Sequence, residues 1–181
     1  MDAIFLTDTH GSVGKRAASL GTQHALDSIP RGYTGYWSDM AASVRDVGGV
    51  GILLSDEFAR RVTGDSGSVR WEGDIDQGRA GRLTLTGPQG ALDLYVVYMP
   101  AGETPDDRQA RIALMDRLHA RLRPGYQAWS ILAGDWNFVP SRPDRWCKDT
   151  GTYTGQKDSR DAAHFKRLFQ SPGYEAVIEL E

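Results

Sequence analysis

Residues 82–98 constrain the fold more than any other part of this chain. Arg82-Leu83-Thr84-Leu85-Thr86 alternates polar and apolar residues, Gly87-Pro88-Gln89-Gly90 has turn chemistry, and Ala91-Leu92-Asp93-Leu94-Tyr95-Val96-Val97-Tyr98 runs back. Two such runs joined by a glycine- and proline-bearing turn predict a β-hairpin with one face on a core. A hairpin cannot bury that face alone, so further layers must pack on it. Short apolar or aromatic runs at residues 3–6, 32–37, 48–55, 68–72 and 129–133 read as the additional strands. Gly48, Gly49 and Gly51 fall where another layer is expected to pack close.

Helices are fewer. Thr104-Pro105-Asp106-Asp107 opens one: Thr104 suits the N-cap, Pro105 the first turn, and the two acids complement the dipole. Ile112, Met115, Leu118 and Leu122 recur at spacings of three and four, and Arg123-Pro124-Gly125 is expected to stop the helix. Its arginines (Arg108, Arg111, Arg117, Arg121 and Arg123) are offset by Glu103, Asp106, Asp107 and Asp116, which predicts a solvated face. A loop-rich stretch to about Ser159, a second amphipathic helix near 161–170 and a short strand at 174–178 complete the chain; residues 15–28 have weaker helical character. The expected class is α/β, with packed sheets flanked by helices in one domain over residues 1–181.

With 181 residues, 40% of them hydrophobic, such a core buries roughly 70% of the unfolded chain's surface without staples. The lone Cys147 excludes an internal disulfide framework. No apolar run reaches the length of about 18 residues that a spanning helix needs, and the start Met1-Asp2-Ala3 is unlike a secretory signal. An intracellular location, nuclear or cytoplasmic, is therefore expected, with no membrane partner. The net charge of −3 excludes a strongly basic nucleic-acid coat but not a local basic groove.

Polar groups follow three of the apolar strands: Asp8 after Ile4-Phe5-Leu6, Tyr98 at the end of its hairpin strand, and Asp135 with Asn137 after Ile131-Leu132-Ala133. Side chains at strand ends converge where loops leave room for a ligand. Two carboxylates, an amide and a phenol suit a hard cation such as Mg²⁺ together with a phosphate. An Asp beside the attacking water orients it or takes its proton, while Asn and Tyr donate to phosphate oxygens. Each residue alone also has a plain structural role, since Asp and Asn cap turns and a strand-end Tyr commonly packs in a core.

Gly134-Asp135-Trp136-Asn137 resembles the Gly-Asp-x-Asn element of the endonuclease/exonuclease/phosphatase superfamily. Four more elements follow the family order across residues 4–145. Leu6-Thr7-Asp8-Thr9-His10 resembles its Leu-Gln-Glu-Thr-His strand end, and Gly48-Gly49-Val50-Gly51-Ile52-Leu53 its Gly-Gly-Val-Ala strand. Gly81-Arg82 precedes the hairpin strand, and Val97-Tyr98-Met99-Pro100 is similar to Asn-x-Tyr-x-Pro. Asn137-Phe138-Val139-Pro140-Ser141 with Asp144-Arg145 is most like the endonuclease domains of non-LTR (LINE-type) retrotransposons. The resemblance implies a partial four-layer α/β sandwich, two packed mixed sheets flanked by helices, and Mg²⁺- or Mn²⁺-dependent hydrolysis of DNA phosphodiesters. By position it implies a metal ligand at Asp8, a phosphate contact at Tyr98, metal binding and water positioning at Asp135, and a water or phosphate contact at Asn137. DNA is the implied partner, with a reverse transcriptase domain downstream in a full-length element. A repair-type abasic-site nuclease, a phosphatase of the same superfamily, and a non-catalytic remnant that binds nucleic acid or protein are the alternatives.

Two departures stand out. Asp8 replaces a glutamate, one methylene short for a metal–oxygen distance of about 2.1 Å. The family's first-strand asparagine would lie before Met1, and no Ser-Asp-His element occurs before Glu181, so a fragment of impaired activity is expected. Among other signals, Gly11-Ser12-Val13-Gly14-Lys15 is too short for a P-loop, and Cys147 has no identifiable base. Arginine outnumbers lysine 17 to 4, which suits phosphate contacts or reflects a GC-rich genome. Residues 138–170 carry seven Lys and Arg against four acids, so Arg142 and Arg145 are expected to contact the DNA backbone.

Overall fold

The structure, a computed structural model, describes residues 1–9, 30–38, 48–138, 146–153 and 160–169. The chain divides into a first unit of Met1–Tyr98 with Leu122–Asp135 and a second of Met99–Arg121 with Trp136–Glu181.

In the first unit, β1 (Ala3–Thr7), β2 (Tyr33–Trp37) and β3 (Val50–Ser55) form an antiparallel sheet of order β1-β3-β2. The most apolar strand takes the centre, and Val50, Ile52 and Leu54 are almost fully buried. Gly51 is required there: a Cβ at this position would sit 2.3 Å from the Trp37 ring that lies across it. Helix α1 (Asp56–Thr63) follows β3 directly. The Ser55 side chain accepts the Phe58 backbone N–H, and Asp56 and Glu57 occupy the first turn. Phe58, Ala59 and Val62, on one helical face, pack against the core.

The second sheet has the order β4-β5-β6-β7, formed by β4 (Ser68–Asp76), β5 (Ala80–Gly87), β6 (Gly90–Tyr98) and β7 (Trp129–Asp135). The expected hairpin is β5–β6, closed with Gly87 opposite Gly90. Strand β7 runs parallel to β6, which demands a crossover connection, and residues 99–128 provide it. Leu83 and Leu85 of β5 and Leu94, Val96 and Tyr98 of β6 meet Val50, Ile52 and Leu54 of the first sheet in one core. The period of two along β6 thus brings Tyr98 to the end of the inward-facing series. On the opposite face of the same strand Asp93, Tyr95 and Val97 are also fully buried.

The second unit holds α2 (Pro105–His119), a two-residue hairpin of β8 (Trp146–Cys147) and β9 (Thr152–Tyr153), and α3 (Arg160–Phe169). Thr104 is the N-cap of α2 as expected, in a capping box with Asp107. Two expectations for this helix need correction. It ends at His119, capped by Ala120, rather than at Arg123, so Leu122 is not part of its stripe. Its buried positions are Arg111, Leu114, Met115 and Leu118. Arg111 is therefore interior, not part of a solvated face. Its Nε donates to Asp161 of α3 at 2.6 Å and its Nη1 to the carbonyls of Pro100 and Gly102. Arg123, in the first unit, is likewise engaged, gripping Asp93 with two nitrogens at 2.7 and 2.6 Å.

The architecture is the expected α/β sandwich of packed sheets with helices. No helix among the described residues is long and apolar enough to cross a membrane. The helix expected at 15–28 and the strand expected at 174–178 lie outside the described residues.

Candidate active site

Three of the residues singled out in the sequence come together within the first unit. Parallel pairing of β6 and β7 sets Tyr98 directly opposite Asp135, so the two strands end side by side. Strand β1 lies against both, and Asp8 follows its last residue, Thr7. The Asp8 carboxylate is close enough to the Tyr98 hydroxyl to act on it by charge and by hydrogen bonding, and the Asp135 charge reaches the same hydroxyl. The three side chains therefore share one end of the two packed sheets.

Local backbone chemistry explains why these residue types occupy these positions. Gly134, just before Asp135, has a φ of 143°, and a Cβ there would sit 1.9 Å from the Val97 carbonyl oxygen. Only glycine lets β7 approach β6 at this point. Asp8 and Asn137 have φ values of 53° and 51°, and no other non-glycine residue among those described has a positive φ. Asp and Asn tolerate this left-handed region best, and such conformations gather at functional sites.

The side chains differ in exposure. Asp8 and Asp135 are exposed, whereas Tyr98 is only 8% exposed. Burial pushes the Tyr98 phenol above its ordinary value of 10.0, the Asp8 charge adds to this, and the Arg79 guanidinium opposes it. Tyr98 is thus a neutral hydrogen-bond donor across the physiological range. Next to Asp8 in the chain, the Thr9 backbone N–H donates to the Gly49 carbonyl at 3.1 Å, while the Thr9 hydroxyl oxygen is sealed from solvent with no hydrogen-bond partner among the described residues. In the second unit, Asn137 donates its side-chain amide to the Met99 carbonyl at 2.8 Å. Arg142, Arg145 and His10 lie outside the described residues.

Among the described residues no group of three or more His, Cys, Asp or Glu side chains is placed to hold a metal ion. A pair of exposed carboxylates around a phenol still fits Mg²⁺, which keeps several waters and takes one or two carboxylates plus substrate phosphate oxygens. Asp8 and Asp135 are the residues that would hold it. Cys147 belongs to the β8–β9 hairpin of the second unit, its thiol held below the usual value chiefly by the Thr150 hydroxyl.

One residue at this end of the sheets has no sequence motif to announce it. The Arg79 guanidinium lies 4.8 Å from the centre of the Tyr98 ring, and the Arg79 carbonyl accepts the Tyr98 backbone N–H at 2.7 Å. Only the Gly78-Arg79 turn before the hairpin hints at a residue presented there.

No family model and no curated protein sequence matches the chain. Solved structures do match it. An AP endonuclease from Archaeoglobus fulgidus superposes over 93% of the chain with a TM-score of 0.57 at 18% identity. The fold is that of this nuclease. The 3′ phosphatase NExo from Neisseria, in a structure with a product DNA hairpin, matches 93% of the chain with a TM-score of 0.51 at 17% identity. The beta toxin of Staphylococcus aureus matches 92% with a TM-score of 0.52 at 10% identity. The chain spans 57–60% of the length of these three structures.

Proposed function

We propose that this chain is a metal-dependent phosphodiester hydrolase acting on DNA, of the retroelement endonuclease type. The observation that carries the reading is the gathering of Asp8, Tyr98 and Asp135 at the ends of β1, β6 and β7, on a fold shared with an AP endonuclease. A divalent ion held by Asp8 and Asp135 would neutralise charge on the phosphoryl oxygens and lower the pKa of water. The protein's own groups account for the remaining tasks. Asp135, exposed at the strand end, orients the attacking water and takes its proton. Tyr98, held neutral, donates to a non-bridging phosphate oxygen where charge develops. Asn137 follows Asp135 by two residues and is the proposed partner of the water or of a phosphate oxygen.

The retroelement assignment rests on the run Asn137-Phe138-Val139-Pro140-Ser141 with Asp144-Arg145. A second reading, repair of abasic sites or damaged 3′ ends, is favoured by likeness to an AP endonuclease and to a 3′ phosphatase. Cleavage of supercoiled plasmid, an abasic duplex and a 3′-phosphorylated duplex, compared side by side, separates the two. In the first reading, plasmid is nicked with Mg²⁺ and not with EDTA, and Asp135→Ala loses about 10²-fold or more of the rate. An Asp135→Ala variant that nicks as fast as wild type refutes the reading. If neither Mg²⁺ nor Mn²⁺ shifts the melting temperature and no substrate is cut, the chain is a non-catalytic remnant.

A further inference from the structure

The turn between β4 and β5 is fastened more firmly than a surface turn requires. The Gly78 carbonyl accepts the Gly49 N–H at 2.8 Å, and the Gly78 N–H donates at 3.0 Å to the hydroxyl of Ser38, which is fully buried. The Arg79 N–H closes the turn on the Asp76 carbonyl at 2.9 Å, and the Arg79 carbonyl holds the Tyr98 N–H. Backbone bonds from three strands' ends therefore fix where the Arg79 side chain starts. Its guanidinium then rests over the Tyr98 ring.

Several other guanidiniums of the chain are tied to carboxylates. Arg61, Arg70, Arg82, Arg111 and Arg123 each pair with a carboxylate within 4.0 Å. Arg79 is half-buried, and among the described residues its side-chain nitrogens make no hydrogen bond and no ion pair; its guanidinium lies over the tyrosine face. A cation over a ring face uses its charge there and keeps N–H donors for other partners. A guanidinium without an acceptor among the described residues matches the oxygens of a phosphate group, which its fork can bind bidentately.

We propose that Arg79 is the phosphate-gripping residue of this site, donating from its fork to the non-bridging oxygens of a phosphate ester set beside Tyr98. The role rests on the proposed hydrolase reading for its substrate but not for its binding partner, since the fork recognises the phosphate group itself. It also gives the site a positive charge beside Tyr98, which favours an anionic ester near two exposed carboxylates.

Inorganic phosphate, titrated with Mg²⁺ present and followed by calorimetry and by melting temperature, tests binding apart from catalysis. Wild type is expected to bind. Arg79→Gln should need about tenfold more phosphate or worse, because a charge-assisted pair is lost. Arg79→Lys should fall between, since an ammonium keeps the charge and the ring contact but not the fork. Both substitutions leave the backbone bonds of the turn in place, and a cooperative melt checks this; should Arg79→Gln fail to fold, the lysine variant carries the comparison. Equal phosphate affinity in wild type and the variants, or no phosphate binding by wild type, overturns the proposal. Plasmid nicking separates it from the reading above. Wild type that binds phosphate through Arg79 but never cuts DNA defeats the hydrolase and leaves the grip standing. Cutting that is undiminished in Arg79→Gln does the reverse.

Discussion

In the proposed site, Tyr98 serves the core and the chemistry at once. Its ring completes the inward series of β6, and its hydroxyl emerges at the sheet end beside Asp8 and Asp135. Burial and the two carboxylates keep the phenol protonated, so its donor survives to alkaline pH. Tyr98→Phe keeps the packing and removes the donor, and is expected to lower kcat by about 10²-fold while moving the melting temperature little. Because the folded pKa lies above 10.0, activity should show no loss from tyrosine ionisation below that pH. A tyrosinate absorbance titration of wild type against Tyr98→Phe checks the assignment; a residue titrating below 10 contradicts it. At Gly134 the argument is steric. Any side chain must push β7 off the Val97 carbonyl, so Gly134→Ala is expected to cost at least about 2 kcal/mol in denaturant unfolding.

Elements built on local rules were legible in advance, and those built on distant partners were not. Alternation placed β5 and β6, and the Thr104-Pro105-Asp106-Asp107 cap placed the start of α2. Helix α1 is short and mostly polar, so its apolar face of Phe58, Ala59 and Val62 is too brief for a periodic signal; Ser55 followed by Asp56 and Glu57 was the cue available. Arg111 is the clearest case of tertiary context overriding composition. An arginine in a row of charged residues reads as solvated, and its interior partners, chiefly Asp161 fifty positions away, are invisible to that pattern. The pair is nearly sealed, with side-chain exposures of 3% and 0%, and the second Asp161 oxygen has no partner. Removing one member strands the other charge, so Asp161→Ala is expected to destabilise the second unit by about 3 kcal/mol. Replacing both, as Arg111→Met with Asp161→Leu, should recover most of that loss, because the buried charges themselves carry a desolvation penalty. A double-mutant cycle from urea melts measures this; equal losses in the single and double variants would contradict it.

At the scale of the molecule, the strand ends were easier to read from sequence than the electrostatics. Order along the chain placed Asp8, Tyr98 and Asp135 at strand ends, and pairing of those strands then brought the three together. Arg79 stayed hidden because no pattern in one chain marks a cation that stacks on a ring nineteen residues later. The same holds for Asp93, which alternation assigns simply to a strand face. It is fully buried there, bridged by both Arg123 nitrogens and by the Thr84 hydroxyl at 2.6 Å. Burial alone would raise its pKa; the Arg123 and Thr84 hydrogen bonds and the charges of Arg123 and Arg82 outweigh it, and the carboxyl sits below 3.8. Asp107, in the α2 capping box, is also lowered, chiefly by the Thr104 hydroxyl. For carboxylates depressed in the folded state, the stabilising contribution is complete above the unfolded value of about 3.9 and disappears as pH falls through the folded values. The melting temperature should therefore hold level from neutral pH to about 5 and fall steeply below 4. Asp93→Asn cannot titrate, so it should melt lower at pH 7 yet lose less on acidification, and the two curves should converge at the acid end. Parallel curves down to the lowest pH at which both still fold would show that the Arg123–Asp93 clamp is not what acid breaks.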